Sequence, residues 1–123
     1  MKKILFFIAL VAISCNSNDD DATPEVNCTD VFVYGLNVNV KDAVTDAVLT
    51  DGVTVKAVDG SYTEILETVE NVSTFVGAGE RVGAYTVTVS KEGYQTYTSP
   101  VVTVKGDQCH VLTETVNVEL QPN

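Results

Sequence analysis

The residues Gly83–Tyr97, GAYTVTVSKEGYQTY, carry the clearest structural pattern in this chain of 123 residues. Three apolar side chains, Tyr85, Val87 and Val89, alternate with polar ones, which is the two-residue period of a β-strand with one buried and one solvated face. Lys91–Gly93 then supplies a turn, in which the glycine can adopt a positive φ. The pattern predicts a strand, a tight turn and the start of a second strand, with the three apolar side chains in the core.

Similar alternation occurs on the N-terminal side of this stretch. Leu36, Val38 and Val40 alternate with asparagines and predict a half-buried strand, preceded by a bulge at Gly35. The dipeptide Asp59-Gly60 lies between two apolar segments and is a strong hairpin signal. We therefore expect antiparallel neighbours along most of the chain.

Residues 61–69 are compatible with two kinds of secondary structure. Tyr62, Ile65, Leu66 and Val69 have helical spacing. The run is short, however, has no good cap and lies between hairpin signals, which favours a strand. A strand is our prediction, and a helix remains the alternative.

The remaining segments complete an all-β pattern. Residues 72–76 predict a brief strand and residues 77–83 a flexible, glycine-rich connection. Pro100 cannot donate to a β-ladder and predicts an edge strand or a bend, and a change of apolar parity predicts a break near Thr113. Short strands about eight to twelve residues apart predict an antiparallel β-sandwich of about seven strands.

The N-terminus has the features of an export signal. Two lysines precede an unbroken apolar run over residues 4–13, which is too short to span a bilayer. A small residue directly before Cys15 resembles the bacterial lipobox. We expect residues 1–14 to be a lipoprotein signal peptide and Cys15 to carry the lipid; cleavage by an ordinary signal peptidase is the alternative.

A polar segment separates this signal from the folded part. Residues 15–27 contain an acidic run and no periodicity, which predicts a disordered tether. The run resembles the surface-export signal of lipoproteins from Bacteroidota. We expect a lipid-anchored protein of the bacterial envelope, exposed on the outer membrane, with residues 28–123 as its single folded domain.

The charge of the chain excludes one class of partner. The net charge is −10, and removal of two lysines with the signal peptide leaves about −12. Such a chain is repelled by the phosphates of nucleic acids. We expect no nucleic-acid partner.

Export also bears on the two remaining cysteines. Cys28 and Cys109 form an even pair in an oxidising compartment, so we predict a disulfide between them; two buried free thiols are the alternative. A bridge closing so long a loop contributes about 4–5 kcal/mol in the chain-entropy model, as an upper estimate.

Several of these segments together resemble the carboxypeptidase regulatory-like domains. The resemblance is carried by Val38–Asp46, Asp51–Val55, Gly83–Val89 and Gly93-Tyr94, and it spans nearly all of residues 30–122. It implies a transthyretin-like sandwich of the carbohydrate-binding-like fold group. In this chain Asp46 stands where the family's Thr-Gly-x-Pro turn usually has glycine.

Few residues are candidates for chemistry. His110 is the only histidine, and a triad or a zinc site needs several positioned partners, so we expect no catalytic residue, no metal ion and no cofactor. Tyr34, Tyr62 and Tyr97 are candidates for stacking against a sugar ring.

Two functions follow from these expectations. The first is a non-catalytic envelope lipoprotein whose sandwich serves as an interaction or structural module. The alternative is a carbohydrate-binding module at the bacterial surface. The expected partners are the membrane, reached through the N-terminal lipid, and a cell-surface polysaccharide or another envelope protein.

Overall fold

A computed structural model describes residues 27–123, which form eight β-strands and no helix. The predicted all-β class is confirmed. The signal peptide, Cys15 and the tether up to residue 26 lie outside the described residues. The strands are β1 (Tyr34–Asp42), β2 (Thr54–Asp59), β3 (Tyr62–Thr68), β4 (Phe75–Gly79), β5 (Gly83–Ser90), β6 (Tyr97–Thr98), β7 (Val102–Val104) and β8 (Glu114–Leu120).

Within residues 27–123, no helix is long and apolar enough to cross a membrane.

Pairing connects the strands in the order β6-β5-β2-β3-β4-β1-β8, and β7 also pairs with β5. The first part of β3 pairs with β2 and its last two residues pair with β4, so the two layers are continuous on this side of the sandwich, the closed side. On the opposite side, the open side, the layers end in β8 and in β6 and β7. The predicted sandwich is therefore confirmed, with eight strands and one parallel pair, β1 with β8.

The core is centred on β5, as the alternation in its sequence predicts. Tyr85, Val87 and Val89 are completely buried. The hydroxyl of Tyr85 accepts a hydrogen bond from the Arg81 guanidinium at 2.9 Å and donates to the carbonyl of Arg81 at 3.0 Å, so this buried polar group is satisfied. Buried side chains of other strands complete the core: Leu36, Val38, Val40, Val55, Ala57, Leu66, Phe75, Ala78, Val104, Val118 and Leu120.

Two expectations based on glycine are wrong. Residues 77–79, expected to begin a flexible connection, form the end of β4, and Gly35, expected to form a bulge, lies where the register of β1 with β4 is the same on both sides of it. Both glycines allow close packing: a Cβ on Gly35 would lie 2.8 Å from Val104, and one on Gly77 would lie 2.5 Å from Leu66. Glycine here marks the tightest contacts between strands.

The structure resolves the ambiguous segment as a strand, as predicted. Within β3, Leu66 is only 2% exposed whereas its neighbour Ile65 is 51% exposed. Val69, just beyond the strand, is 40% exposed. The helical spacing of these residues therefore does not correspond to one buried face.

The turn after β1 is fixed by a carboxylate. Oδ1 of Asp42 accepts hydrogen bonds from the backbone N–H groups of Val44 at 2.7 Å and Thr45 at 2.8 Å. Asp46 has a φ of 65°, in the left-handed region that aspartate tolerates better than most residues. The turn therefore forms without the glycine that the resembled family has at this position.

Replacing Gly77 with alanine is expected to lower the free energy of unfolding by about 1–3 kcal/mol, because the new methyl group would overlap the immobile Leu66 side chain. Urea unfolding would measure the difference. Gly79→Ala is the matched control on the same strand: its methyl group would meet Phe32, which is 62% exposed and can rotate into solvent. Equal losses of unfolding free energy in the two variants would show that overlap with Leu66 does not account for the effect of Gly77→Ala.

Candidate functional site

The open side contains a groove that begins where β7 and β8 separate. These strands are joined by a hairpin, residues 105–112, whose last hydrogen bond runs from the N–H of Leu112 to the carbonyl of Lys105 at 2.7 Å. Beyond this bond β7 pairs with β5, whereas β8 pairs with β1. The two strands therefore diverge into different layers.

The other end of the groove is closed by the C-terminal residues. The N–H of Gln95 donates to the carbonyl of Gln121 at 2.8 Å, and the N–H of Asn123 donates to the carbonyl of Gly93 at 3.0 Å. Tyr94 and Pro122 form a β-bridge beside them. Between these bonds and the hairpin lies a groove of about 400 Å³.

One wall of the groove is shaped by a serine and a proline. Ser99, at 7% exposure, donates its N–H to the carbonyl of Val87 at 2.8 Å and accepts the N–H of Val87 on its hydroxyl at 2.9 Å. The serine hydroxyl also donates to the carbonyl of Pro100 at 2.7 Å. Its side chain thus replaces one bond of the β-ladder, and Pro100 lies between β6 and β7, where the register with β5 shifts by one residue.

The groove is lined by both apolar and polar side chains, and its one charged side chain is acidic. Tyr97 and Val116 are half-buried, and Val101 is 64% exposed. Glu114 is the only charged residue in the lining, which otherwise consists of apolar, hydroxyl and amide side chains. The groove is therefore suited to an extended ligand that is neutral or positively charged.

The three candidate tyrosines do not form one platform. Tyr97 lines the groove on the open side. Tyr34 borders a separate depression of about 310 Å³ formed with β3 and β4. The face of the Tyr62 ring is covered by the Arg81 guanidinium, 3.7 Å from the ring centroid. The hydroxyl of Tyr62 donates to Glu64 at 2.8 Å, which, with burial, raises the pKa of Tyr62. Of the three, only Tyr97 lies in the groove.

A larger depression, of about 470 Å³, lies over the turn between β3 and β4. Its lining comes from Thr50 and residues 68–73 and contains no aromatic side chain. It offers neither a strand edge nor a stacking surface, so the open-side groove is the better candidate.

The predicted disulfide between Cys28 and Cys109 is present, with the two Cα atoms 5.2 Å apart. It attaches the first described residues to the tip of the 105–112 hairpin. A second contact lies beside it: His110 Nδ1 is 2.6 Å from Oε2 of Glu80, and His110 Nε2 is 3.2 Å from the hydroxyl of Thr29. The single histidine thus links the N-terminal segment to the sandwich.

The Glu80 carboxylate is held by several donors. Besides His110, the backbone N–H groups of Val33, at 2.9 Å, and Val111, at 3.3 Å, donate to it. Burial acts to raise the pKa of Glu80, but these hydrogen bonds outweigh it and hold the pKa below its ordinary value. The hydroxyl, imidazole and carboxylate are arranged in the order of a catalytic triad, and the carboxylate also accepts two backbone N–H groups.

Two other carboxylates also accept hydrogen bonds that lower their pKa values. A hydrogen bond from the Tyr94 hydroxyl at 2.6 Å, together with the backbone donors of the β1 turn, lowers the pKa of Asp42. The N–H groups of His110 and Cys109 lower the pKa of Asp107. In the part of the chain that the structure describes, no three acidic, histidine or cysteine residues are grouped so as to hold a metal ion.

The groove was not predicted from the sequence. Pro100 and the parity change near Thr113 indicated where pairing ends on each wall, but nothing in the sequence showed that these two ends face each other. The contact of Glu80 with His110 was also missed, because it joins turns 30 residues apart. No protein-family model and no curated protein matches the sequence.

The stabilising effect of Glu80 is expected to depend on pH. Because folding lowers the pKa of Glu80, its contribution is present above the unfolded pKa, about 4.3, and is lost as the pH falls through the folded value. Unfolding free energies of the wild type and Glu80→Gln should therefore differ more at pH 6 than at pH 3. Asp107 is present in both proteins, so its contribution to the pH dependence cancels when their unfolding free energies are compared at each pH. A constant difference across this range would contradict the assignment.

Proposed function

We propose that this protein is a non-catalytic lipoprotein of the bacterial envelope, whose sandwich serves as an interaction module at the outer surface. The observation that carries the proposal is the attachment of Cys28 to the 105–112 hairpin. It fixes the point at which an N-terminal tether would reach the sandwich. That point is the tip of the hairpin that bounds one end of the groove, so the tether and the groove would share one end of the sandwich.

The lack of a catalytic role is supported by the way the reactive side chains are used. His110 lies between Thr29 and Glu80, and Glu80 also binds two backbone N–H groups. Partners on both ring nitrogens also occur in a catalytic triad, so the assignment rests on position: the cluster joins the N-terminal segment to the 105–112 hairpin beside the disulfide. We therefore assign His110 to the attachment of the N-terminal segment.

Membership of the carboxypeptidase regulatory-like domains is part of the proposal. It is supported by the sandwich architecture and by the burial of Tyr85, Val87 and Val89, which belong to the segments that resemble the family. A fold of this kind supports many unrelated functions, so the interaction role rests on the open side and on the expected anchor.

The anchor can be tested by metabolic labelling with palmitate in a bacterial host. The wild type is expected to incorporate label and to sediment with membranes, and Cys15→Ser is expected to lose both properties. The double variant Cys28→Ser/Cys109→Ser is the matched control, because it removes the other cysteines and keeps Cys15. Label that persists in Cys15→Ser, or is absent from the wild type, would remove the lipid anchor from the proposal.

Carbohydrate binding is the second candidate, and the position of Tyr97 favours it. This half-buried ring lies in the groove with threonine, asparagine and glutamate side chains, a combination that can stack against a sugar and bind its hydroxyl groups.

A polysaccharide pull-down would test this candidate. Binding is expected to fall about 5- to 150-fold in Tyr97→Ala, because stacking and apolar burial of one aromatic ring contribute about 1–3 kcal/mol. Tyr34→Ala is the control, since its ring lies in a different depression. An absence of binding at millimolar sugar, or equal losses in the two variants, would count against a carbohydrate site at the groove.

A further inference from the structure

We propose that β8 binds an extended, positively charged peptide segment of another protein, which adds to the sheet as a further strand along the groove. This inference rests on the proposed interaction role and names its partner chemistry. It is carried by three features of the open side: an unpaired strand edge, the absence of proline, glycine and bulges from β8, and the distribution of charge.

The unpaired edge follows from the sheet order. Among residues 27–123, β8 pairs only with β1, in a parallel register from Leu36 with Glu114 to Asp42 with Leu120. Its other edge borders the groove. Backbone N–H and C=O groups along such an edge are a template for another extended chain.

The two walls of the groove differ in their ability to accept a strand. On the β6 and β7 side, Pro100 lacks an N–H group and separates two short strands, so this wall is a poor template for pairing; the hydrogen bonds of Ser99 run to Val87 of β5, away from the groove. Glu114–Leu120 contains no proline, glycine or lysine, and no bulge interrupts its register with β1. The edge that remains suitable for strand addition is therefore that of β8.

The groove also limits how much chain can bind. Hydrogen bonds at Leu112 and Gln121 close it, so the unpaired edge is the seven residues Glu114–Leu120, of which the first four line the groove. Seven residues of strand span about 23 Å. A short extended segment, or an exposed strand of a folded partner, fits this length.

The side chains define the sequence pattern of the partner. Along β8, Val116 and Val118 face inward, whereas Thr115, Asn117 and Glu119 are exposed on the outer face. A strand added in register would place alternate side chains beside the valines and the others beside Asn117 and Glu119. We therefore expect apolar residues to alternate with lysine or arginine.

Charge argues against a second copy of this chain as the occupant. The two charged side chains of β8, Glu114 and Glu119, are both acidic and exposed, and the mature chain would carry a net charge of about −12. Two such chains repel each other, whereas a basic segment is attracted.

The test uses the full chain with Cys15→Ser, labelled with ¹⁵N, and a short peptide that alternates lysine and valine. The expected result is saturable binding, with backbone NMR shifts confined to β8 and the groove. A peptide of the same sequence, N-methylated at alternate residues, keeps its charge but loses donors on one edge. It should bind about tenfold more weakly, the effect of losing roughly two hydrogen bonds.

A charge variant provides the matched test on the protein. Glu114→Lys, which reverses the one charge in the groove lining, is expected to weaken peptide binding roughly two- to fivefold at low salt, as for an exposed ion pair. Glu67→Lys, at an exposed position on β3 away from the groove, should have no such effect. Losses of equal size would mean that net charge alone controls binding.

Other outcomes would overturn the proposal. Equal affinity for the two peptides would show that strand pairing is not involved. Shifts outside the groove, or no binding at millimolar peptide, would also reject it. A neutral polysaccharide that shifts the same resonances while the peptide does not would assign the groove to carbohydrate instead. Palmitate labelling of Cys15 involves no peptide, so failure of the anchor and failure of strand addition can be told apart.

Discussion

The packing of Leu66 against Gly77 is the contact on which the architecture depends. Because Gly77 has no side chain, Leu66 of β3 can fill the corner where β3 leaves β2 and begins to pair with β4. One strand then serves both layers and closes one side of the sandwich. The opposite side has no strand of this kind, so β8 and the β6–β7 segment remain separate edges. The groove therefore lies on the side of the sandwich where, among residues 27–123, no strand joins the two layers.

The many acidic residues of this chain fall into two groups with different physical roles. Asp42, Glu80 and Asp107 accept hydrogen bonds from backbone N–H groups in turns, and these bonds lower their pKa values. Such carboxylates organise loops, and their charge is partly balanced by the donors around them. Glu114 and Glu119 are at exposed positions of β8. A strongly negative chain can therefore have stable turns and still present acidic side chains to a partner.

Local patterns in the sequence predicted the fold well, and contacts between distant residues could not be predicted. The burial of Tyr85, Val87 and Val89 follows from two-residue alternation, which one strand contains in full. Gly77 was misinterpreted because its role depends on Leu66, a neighbour in space whose position the local sequence does not reveal. The same limit applies to the site: His110 reads as an isolated residue until folding brings Glu80 and Thr29 beside it. The groove is formed by two chain segments that stop pairing, and its existence depends on how they face each other.

The disulfide has a mechanical consequence for a domain held by its N-terminus. A pull on the chain before Cys28 reaches the 105–112 hairpin through a covalent bond as well as β1 through its hydrogen bonds. The chain between the two cysteines, with a sequence separation of 81, forms a closed loop that such a force cannot extend. At about 3.4 Å per residue, this keeps roughly 280 Å of chain from being drawn out. The covalent path through the disulfide bypasses strands β1 to β7, and within residues 28–123 only the short segment after Cys109 could still lengthen.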